Sequence, residues 1–294
     1  MYKCNISKIR QNIKNFIYII VFLNSINCLS QEILVHDGLD KFDTKEIIRV
    51  NPSTITINAT KFDRFDTKEF VQLGAKIIIA NQFDQFEVKA IIRIKPNLIT
   101  INATKFNKFE TKEFVRLGAN VIINNQFDQF DIKEIIRIKP ELVTIKATKF
   151  DKFDTKEFVR LGAKVIINNQ FDQFEVKDLI KINPELITIK ATKFDKLNTK
   201  EFIKLGANVI INNQFGQFEI KEIIRTNPYL VTIDATKFNK LDTKEFIRLG
   251  AKVIINNQFN KFDLKEIIKI KPNLVEINTT RFDKFDLKEI IKEL

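Results

Sequence analysis

Short runs of β-branched residues recur along this chain on a fixed beat, and polar residues alternate with them. LITIN (98–102) and VIIN (121–124) are two examples, each read as a short strand. After every run comes a polar turn, then Phe-x-x-Phe or a close variant, then a helix-period pattern. The segment ATKF begins at Ala59, Ala103, Ala147, Ala191 and Ala235, each 44 residues after the last. All six prolines (Pro52, Pro96, Pro140, Pro184, Pro228 and Pro272) and five glycines (Gly74, Gly118, Gly162, Gly206 and Gly250) keep the same period. A fixed period of this size predicts a repeat architecture in which each unit buries its apolar face against the next.

Each 44-residue unit divides into a 23-residue coil (97–119) and a 21-residue coil (120–140), so residues 31–294 hold six units and about twelve coils. In the long coil Asp154-Thr-Lys-Glu157 reads as a capping-box start, with Phe158, Val159 and Leu161 on the buried side and Gly162 as the stop. In the short coil Pro140 stops the helix. Helices of about two turns are too short to pair in the manner of helical repeats. The Phe pairs Phe150/Phe153 and Phe171/Phe174 read as a core spine rather than as stacking platforms, because the spacing recurs in almost every coil.

The strand segments resemble the leucine-rich-repeat motif L-x-L-x-x-[N/C/T]-x-L. Ile99, Ile101, Thr104 and Phe106 match it, as do Val143, Ile145, Thr148 and Phe150, and Val231, Ile233, Thr236 and Phe238. Ile, Val and Phe replace Leu, and Thr replaces the usual Asn, so a ladder of side-chain bonds would run through hydroxyls. The resemblance covers nearly all of 31–294. It implies an α/β, curved leucine-rich-repeat-like solenoid of about twelve strand–short-helix coils. Strands about 4.8 Å apart and helices about 10 Å apart predict curvature, with a parallel sheet on the concave face.

Residues 1–30 differ in kind. Lys3, Lys8, Arg10 and Lys14 precede an apolar run, Phe16 to Leu23, and then Cys28-Leu-Ser30. This predicts a secretory signal peptide cleaved after Ser30, with lipidation at Cys28 as the rival. The expected location is therefore secreted or cell-surface. Cys4 and Cys28 both lie in this leader, which leaves the solenoid without thiols. Removing the four leader bases from the formal +12 leaves +8, spread among acids rather than clustered.

Catalytic chemistry is sparse. His36 is the one histidine and Ser53 the one serine after residue 30, so zinc and Ser-His-Asp arrangements are not expected. Carboxylates such as Asp151 and Asp154 recur at every helix start, where capping explains them, and the calcium-loop glycines are missing. The expectation is no enzyme, no cofactor and no metal.

Alternate strand residues would face the concave surface. In the long coils these are Thr100 and Asn102, Thr144 and Lys146, Thr188 and Lys190, and Thr232 and Asp234. In the short coils Ile122, Ile166, Ile210 and Ile254 either form an apolar stripe on that face or are buried by a shifted register. The resulting reading is a recognition or adhesion protein binding a protein or glycan, for instance on a host surface. The alternative is a polyanion binder using Lys105, Lys149, Lys193 and Lys237, although the acid beside almost every base argues against nucleic acid. The uncapped last coil adds an expectation of end-to-end self-association.

Overall fold

Strand, short helix, strand, short helix is the order throughout the computed structural model, which describes residues 32–35, 38–102, 104–146, 148–190, 192–279 and 281–294. The candidate leader, His36 and Asp37 lie outside the described residues. In the first half β1 (Glu32–Val35), α1 (Lys41–Ile48), β2 (Ile55–Asn58), α2 (Arg64–Leu73), β3 (Lys76–Ile79), α3 (Gln85–Ile92), β4 (Ile99–Asn102), α4 (Lys108–Leu117), β5 (Asn120–Ile123), α5 (Gln129–Ile136), β6 (Val143–Lys146) and α6 (Lys152–Arg160) follow one another. The second half continues with β7 (Lys164–Ile167), α7 (Gln173–Ile180), β8 (Ile187–Lys190), α8 (Lys196–Lys204), β9 (Asn208–Ile211), α9 (Gln217–Ile224), β10 (Val231–Asp234), α10 (Lys240–Arg248), β11 (Lys252–Ile255), α11 (Lys261–Ile268), β12 (Val275–Thr279) and α12 (Lys284–Ile291). Each even-numbered strand is entered through a 3₁₀ turn opened by the periodic proline, such as Pro140–Leu142.

Every strand pairs in parallel with its sequence neighbours, and β12 pairs with β1, Ile277 opposite Ile33. The sheet is therefore a closed barrel of twelve parallel strands surrounded by helices, comparable in plan to the eight-stranded β/α barrel. This overturns the leucine-rich-repeat resemblance and the open, curved solenoid drawn from it. The strand-and-helix coils are as read, but the array has no free edge: β1 and β12 occupy each other's hydrogen-bonding positions.

Closure has a definite shear. Around the ladder from Ile33, the aligned position advances by 22 residues at six pairings and by 20 at five, 232 in all. The closing pair Glu32↔Glu276 spans 244 residues, so the ladder returns displaced by 12, one residue per strand. Two strands advance 42 residues by register, and the shear adds two more to keep the same height. The sum is 44, the sequence period. Equivalent residues of the six units therefore ring the barrel at one level.

The core lies between sheet and helices. Outward-facing strand residues such as Ile99, Ile101, Val121 and Ile123 are fully buried, as are Ile132, Ile135 and Ile136 of α5. In five of the six long coils a buried pair such as Phe150 and Phe158 meets edge-to-face, with ring centroids 5.2 Å apart in that pair. Neighbouring coils touch closely where Gly162, at φ 95°, packs on Pro140: a Cβ there would lie 3.1 Å from the proline Cβ. That contact, with the left-handed backbone, explains why glycine and proline share one beat.

Two local readings need correction. The α6 N-cap is Asp151, whose Oδ1 accepts from Asp154 N at 2.8 Å, so the helix starts three residues before the Asp154 box. Only the first phenylalanine of each pair joins the core. Phe150 and Phe171 are 7% and 3% exposed, whereas Phe153 and Phe174 are 73% and 67% exposed. The second position lies on the helix face opposite the buried residues, and a cation sits near each of these rings, such as Lys152 Nζ 5.7 Å from the Phe153 centroid.

Lysine–carboxylate pairs belt the outer helices. Lys133–Glu157 (2.5 Å), Lys177–Glu201 (2.6 Å) and Lys221–Glu245 (2.6 Å) link successive helices. The seam is built the same way: Lys284 to Asp43 and Lys288 to Glu46, each 2.6 Å, join α12 to α1. The hydrogen bond from Lys288 holds the Glu46 carboxyl below its ordinary range, and the bond to Asp43 raises Lys284.

Candidate functional site: the barrel lumen

Twelve strands about 4.8 Å apart, tilted by about 36° as in the eight-stranded barrel with the same shear per strand, place the backbone about 11 Å from the axis. Eight strands leave room only for their own inward side chains, so twelve leave a passage. Exposure agrees. Residues facing the helices are fully buried, while their inward neighbours Thr100, Asn102, Ile122, Thr144 and Ile166 keep accessible surface.

The level rule sorts the inward residues into tiers. At the N-terminal ends of the odd strands stand Lys76, Asn120, Lys164, Asn208 and Lys252. Above them lie Thr56, Thr100, Thr144, Thr188 and Thr232, with Glu276 completing the tier. Next comes an aliphatic belt of Leu34, Ile78, Ile122, Ile166, Ile210 and Ile254. Above the belt are Asn58, Asn102, Lys146, Lys190, Asp234 and Asn278. Contacts between tiers match this order: Lys252 pairs with Glu276 at 2.8 Å, Asn124 Nδ2 donates to Asn102 Oδ1 at 2.7 Å, and Asn256 Nδ2 donates to Asp234 Oδ1 at 3.1 Å.

All twelve residues predicted for the concave face therefore line one lumen, as two tiers from the long coils with the isoleucine belt between them. Val121 and Ile123 point to the helices, so Ile122 and its equivalents face the lumen. Lys164 was missed by the sequence reading. Period-two alternation from Ile166 would have found it, because it opens the same strand two residues earlier.

Charge within the lumen is uneven. Lys146, Lys164 and Lys190 lie on the successive strands β6, β7 and β8, and no acid pairs with them among the described residues. The acids among the described residues follow on β10 and β12: Glu276 is bound to Lys252, and Asp234, next after Lys190 in its tier, accepts from Thr236 N at 3.0 Å and from Asn256. The tiers carrying the lysines vary between units, whereas the threonine tier changes only at Glu276 and the isoleucine belt only at Leu34. Among the described residues no cluster of three His, Cys, Asp or Glu could hold a metal, and no helix is long and apolar enough to cross a membrane.

The adhesion reading does not survive this geometry. The concave face is the inner wall of a closed barrel, and a folded partner cannot enter a passage of this width. The polyanion alternative falls too. Lys105, Lys193 and Lys237 donate to Asn81 O (2.7 Å), Asn169 O (2.9 Å) and Asn213 O (2.6 Å), tying successive loops around a closed rim, while Lys149 lies 5.2 Å from the Phe150 ring centroid. The expectation of no enzyme rested on sparse histidine and serine and on carboxylates explained by capping, within an open array; the closed parallel barrel overturns it.

No protein-family model matches the chain, and no curated protein matches it. Among solved structures the chain is similar to a 3-hexulose-6-phosphate synthase, at 14% identity and TM-score 0.30, over 62% of this chain and 89% of that one. It is also similar to a lysine/ornithine decarboxylase complexed with putrescine from Vibrio vulnificus, at 11% identity and TM-score 0.34, over 83% of this chain and 61% of that one. Likeness at this level says nothing about activity, so function is argued from the lumen itself.

Proposed function

We propose that the barrel handles a small organic anion inside its lumen. The observation that carries this is the set of inward lysines with no acid partner among the described residues, Lys146, Lys164 and Lys190, in a chain whose outer lysines are largely ion-paired. Lys146 and Lys190 share one tier on β6 and β8, and an anion between them is attracted by both charges. The isoleucine belt below Lys146 and Lys190 offers an apolar wall to the rest of the ligand, the usual pairing of apolar lining with a few placed polar groups. The leader pattern in residues 1–30 supports export as part of this reading.

A catalytic role for the same site is the second reading. Lys190 and Asp234 stand at one level at the C-terminal ends of β8 and β10, the end of a β/α barrel where chemistry is usually carried. Calorimetric titration with octanoate tests binding. The native chain is expected to bind it, and Lys146→Met with Lys190→Met to weaken it at least tenfold. Unchanged affinity in the double variant would place the anion elsewhere and end the proposal.

A further inference from the structure

The lumen lysines are not at one height, and their separation specifies more than one negative charge. Resting on the lumen reading above, we infer that the preferred ligand is a linear dianion with an apolar middle, in chemical class an α,ω-dicarboxylate. Lys146 and Lys190 belong to the tier above the isoleucine belt and Lys164 to the tier below the threonines. Lys146 is in register with Ile166, two residues after Lys164 on the neighbouring strand, which sets the two Cα atoms about 8 Å apart. Thr188 is in register with Ile166, so Lys190 lies four residues further along than Lys164 on the next strand over, about 14 Å away.

Ile166 lies between the two levels, flanked in its own tier by Ile122 and Ile210. A carboxylate between Lys146 and Lys190 would lay its chain over these isoleucines and deliver a second carboxylate to Lys164. The threonines beside the path, Thr144 and Thr188, present hydroxyls that either end can use. Among the described residues the acids facing the lumen have partners of their own: Glu276 is paired with Lys252, and Asp234 accepts from Thr236 and Asn256 in the turns after β10 and β11. A monoanion leaves Lys164 without a partner, whereas a dianion satisfies both levels.

Calorimetric titration of the full chain with suberate and with octanoate, which share a chain length and differ by one carboxylate, tests this. Suberate is expected to bind at least tenfold more tightly. Lys164→Met is expected to bring suberate down to the octanoate value, while Lys146→Met weakens both. Circular dichroism spectra matching the native chain would show that the variants fold. Equal affinity for the two ligands, or a suberate preference that survives Lys164→Met, overturns the dianion inference and leaves the lumen site standing. No binding of either ligand overturns both.

Discussion

Ile166 and Ile167 are adjacent and chemically identical, yet the barrel gives them opposite surroundings. Ile167 points at the helices and is fully buried; Ile166 points into the lumen and keeps accessible surface. Truncating Ile167 to alanine removes buried carbon and leaves a cavity that a packed layer cannot close, which costs about 3 to 4 kcal/mol. At Ile166 the vacated space opens onto water, so only a partial transfer loss remains, about 1 kcal/mol. For a unit of this size each kcal/mol moves Tm by about 2 °C. Scanning calorimetry should thus find Ile167→Ala lower by roughly 7 °C and Ile166→Ala by roughly 2 °C. Equal losses would mean that the interior is packed solid, and a larger loss at Ile166 would mean that the strand faces are reversed. Either result refutes an open lumen.

The outer belt makes stability depend on pH. Glu46, Glu134, Glu222 and Glu266 are lowered chiefly by lysine hydrogen bonds, so the stability they add is present above the ordinary glutamate range and lost as pH falls through their folded values. Lys108, Lys196, Lys240 and Lys284 are raised chiefly by bonds to acids, so their share is lost as pH rises through their folded values. Tm should be flat near neutrality, fall at both extremes, and depend less on pH in molar salt; a Tm that does not fall in acid would contradict the belt. Gly162→Ala should destabilise by about 1 to 2 kcal/mol or more, since alanine must take the left-handed backbone against Pro140, and denaturant titration reads this. Phe153→Ser should change stability by less than about 0.5 kcal/mol while Phe150→Ala costs about 3 kcal/mol. Similar losses at the two phenylalanines would restore the discarded reading of both as core.

The elements were legible because each coil carries its own signals: β-branched alternation, a cap and a stop. The capping error arose where the pattern fits twice, since Asp151 and Asp154 both precede an acid by three residues. The half-wrong phenylalanine spine has a similar origin. Positions three apart share a face only once a helix is under way, whereas Phe150 precedes the helix and Phe153 is its second residue. Closure was missed for a different reason. Strands about 4.8 Å apart and helices about 10 Å apart, in layers about 10 Å from each other, turn each coil by about 30°. The two spacings thus set the amount of curvature as well as its sign, and about twelve coils complete a circle. The resemblance to an open repeat family hid that arithmetic, and with it the change of the concave face into a lumen. The lumen residues were nonetheless identifiable, because alternation fixes the facing of a strand whether or not the sheet closes.

The closed seam is the claim on which the lumen depends. Phe42 and Phe285 are exposed and sit beside Asp43 and Lys284, the pair that joins α1 to α12. With Cys4 and Cys28 replaced by serine, pyrene would be attached at Phe42→Cys and Phe285→Cys, and excimer emission read at high dilution. A closed barrel predicts strong excimer emission that does not change with protein concentration. Monomer emission alone, or excimer that appears only as concentration rises, would mean that the first and last coils stand apart, and the barrel with its lumen would have to be abandoned.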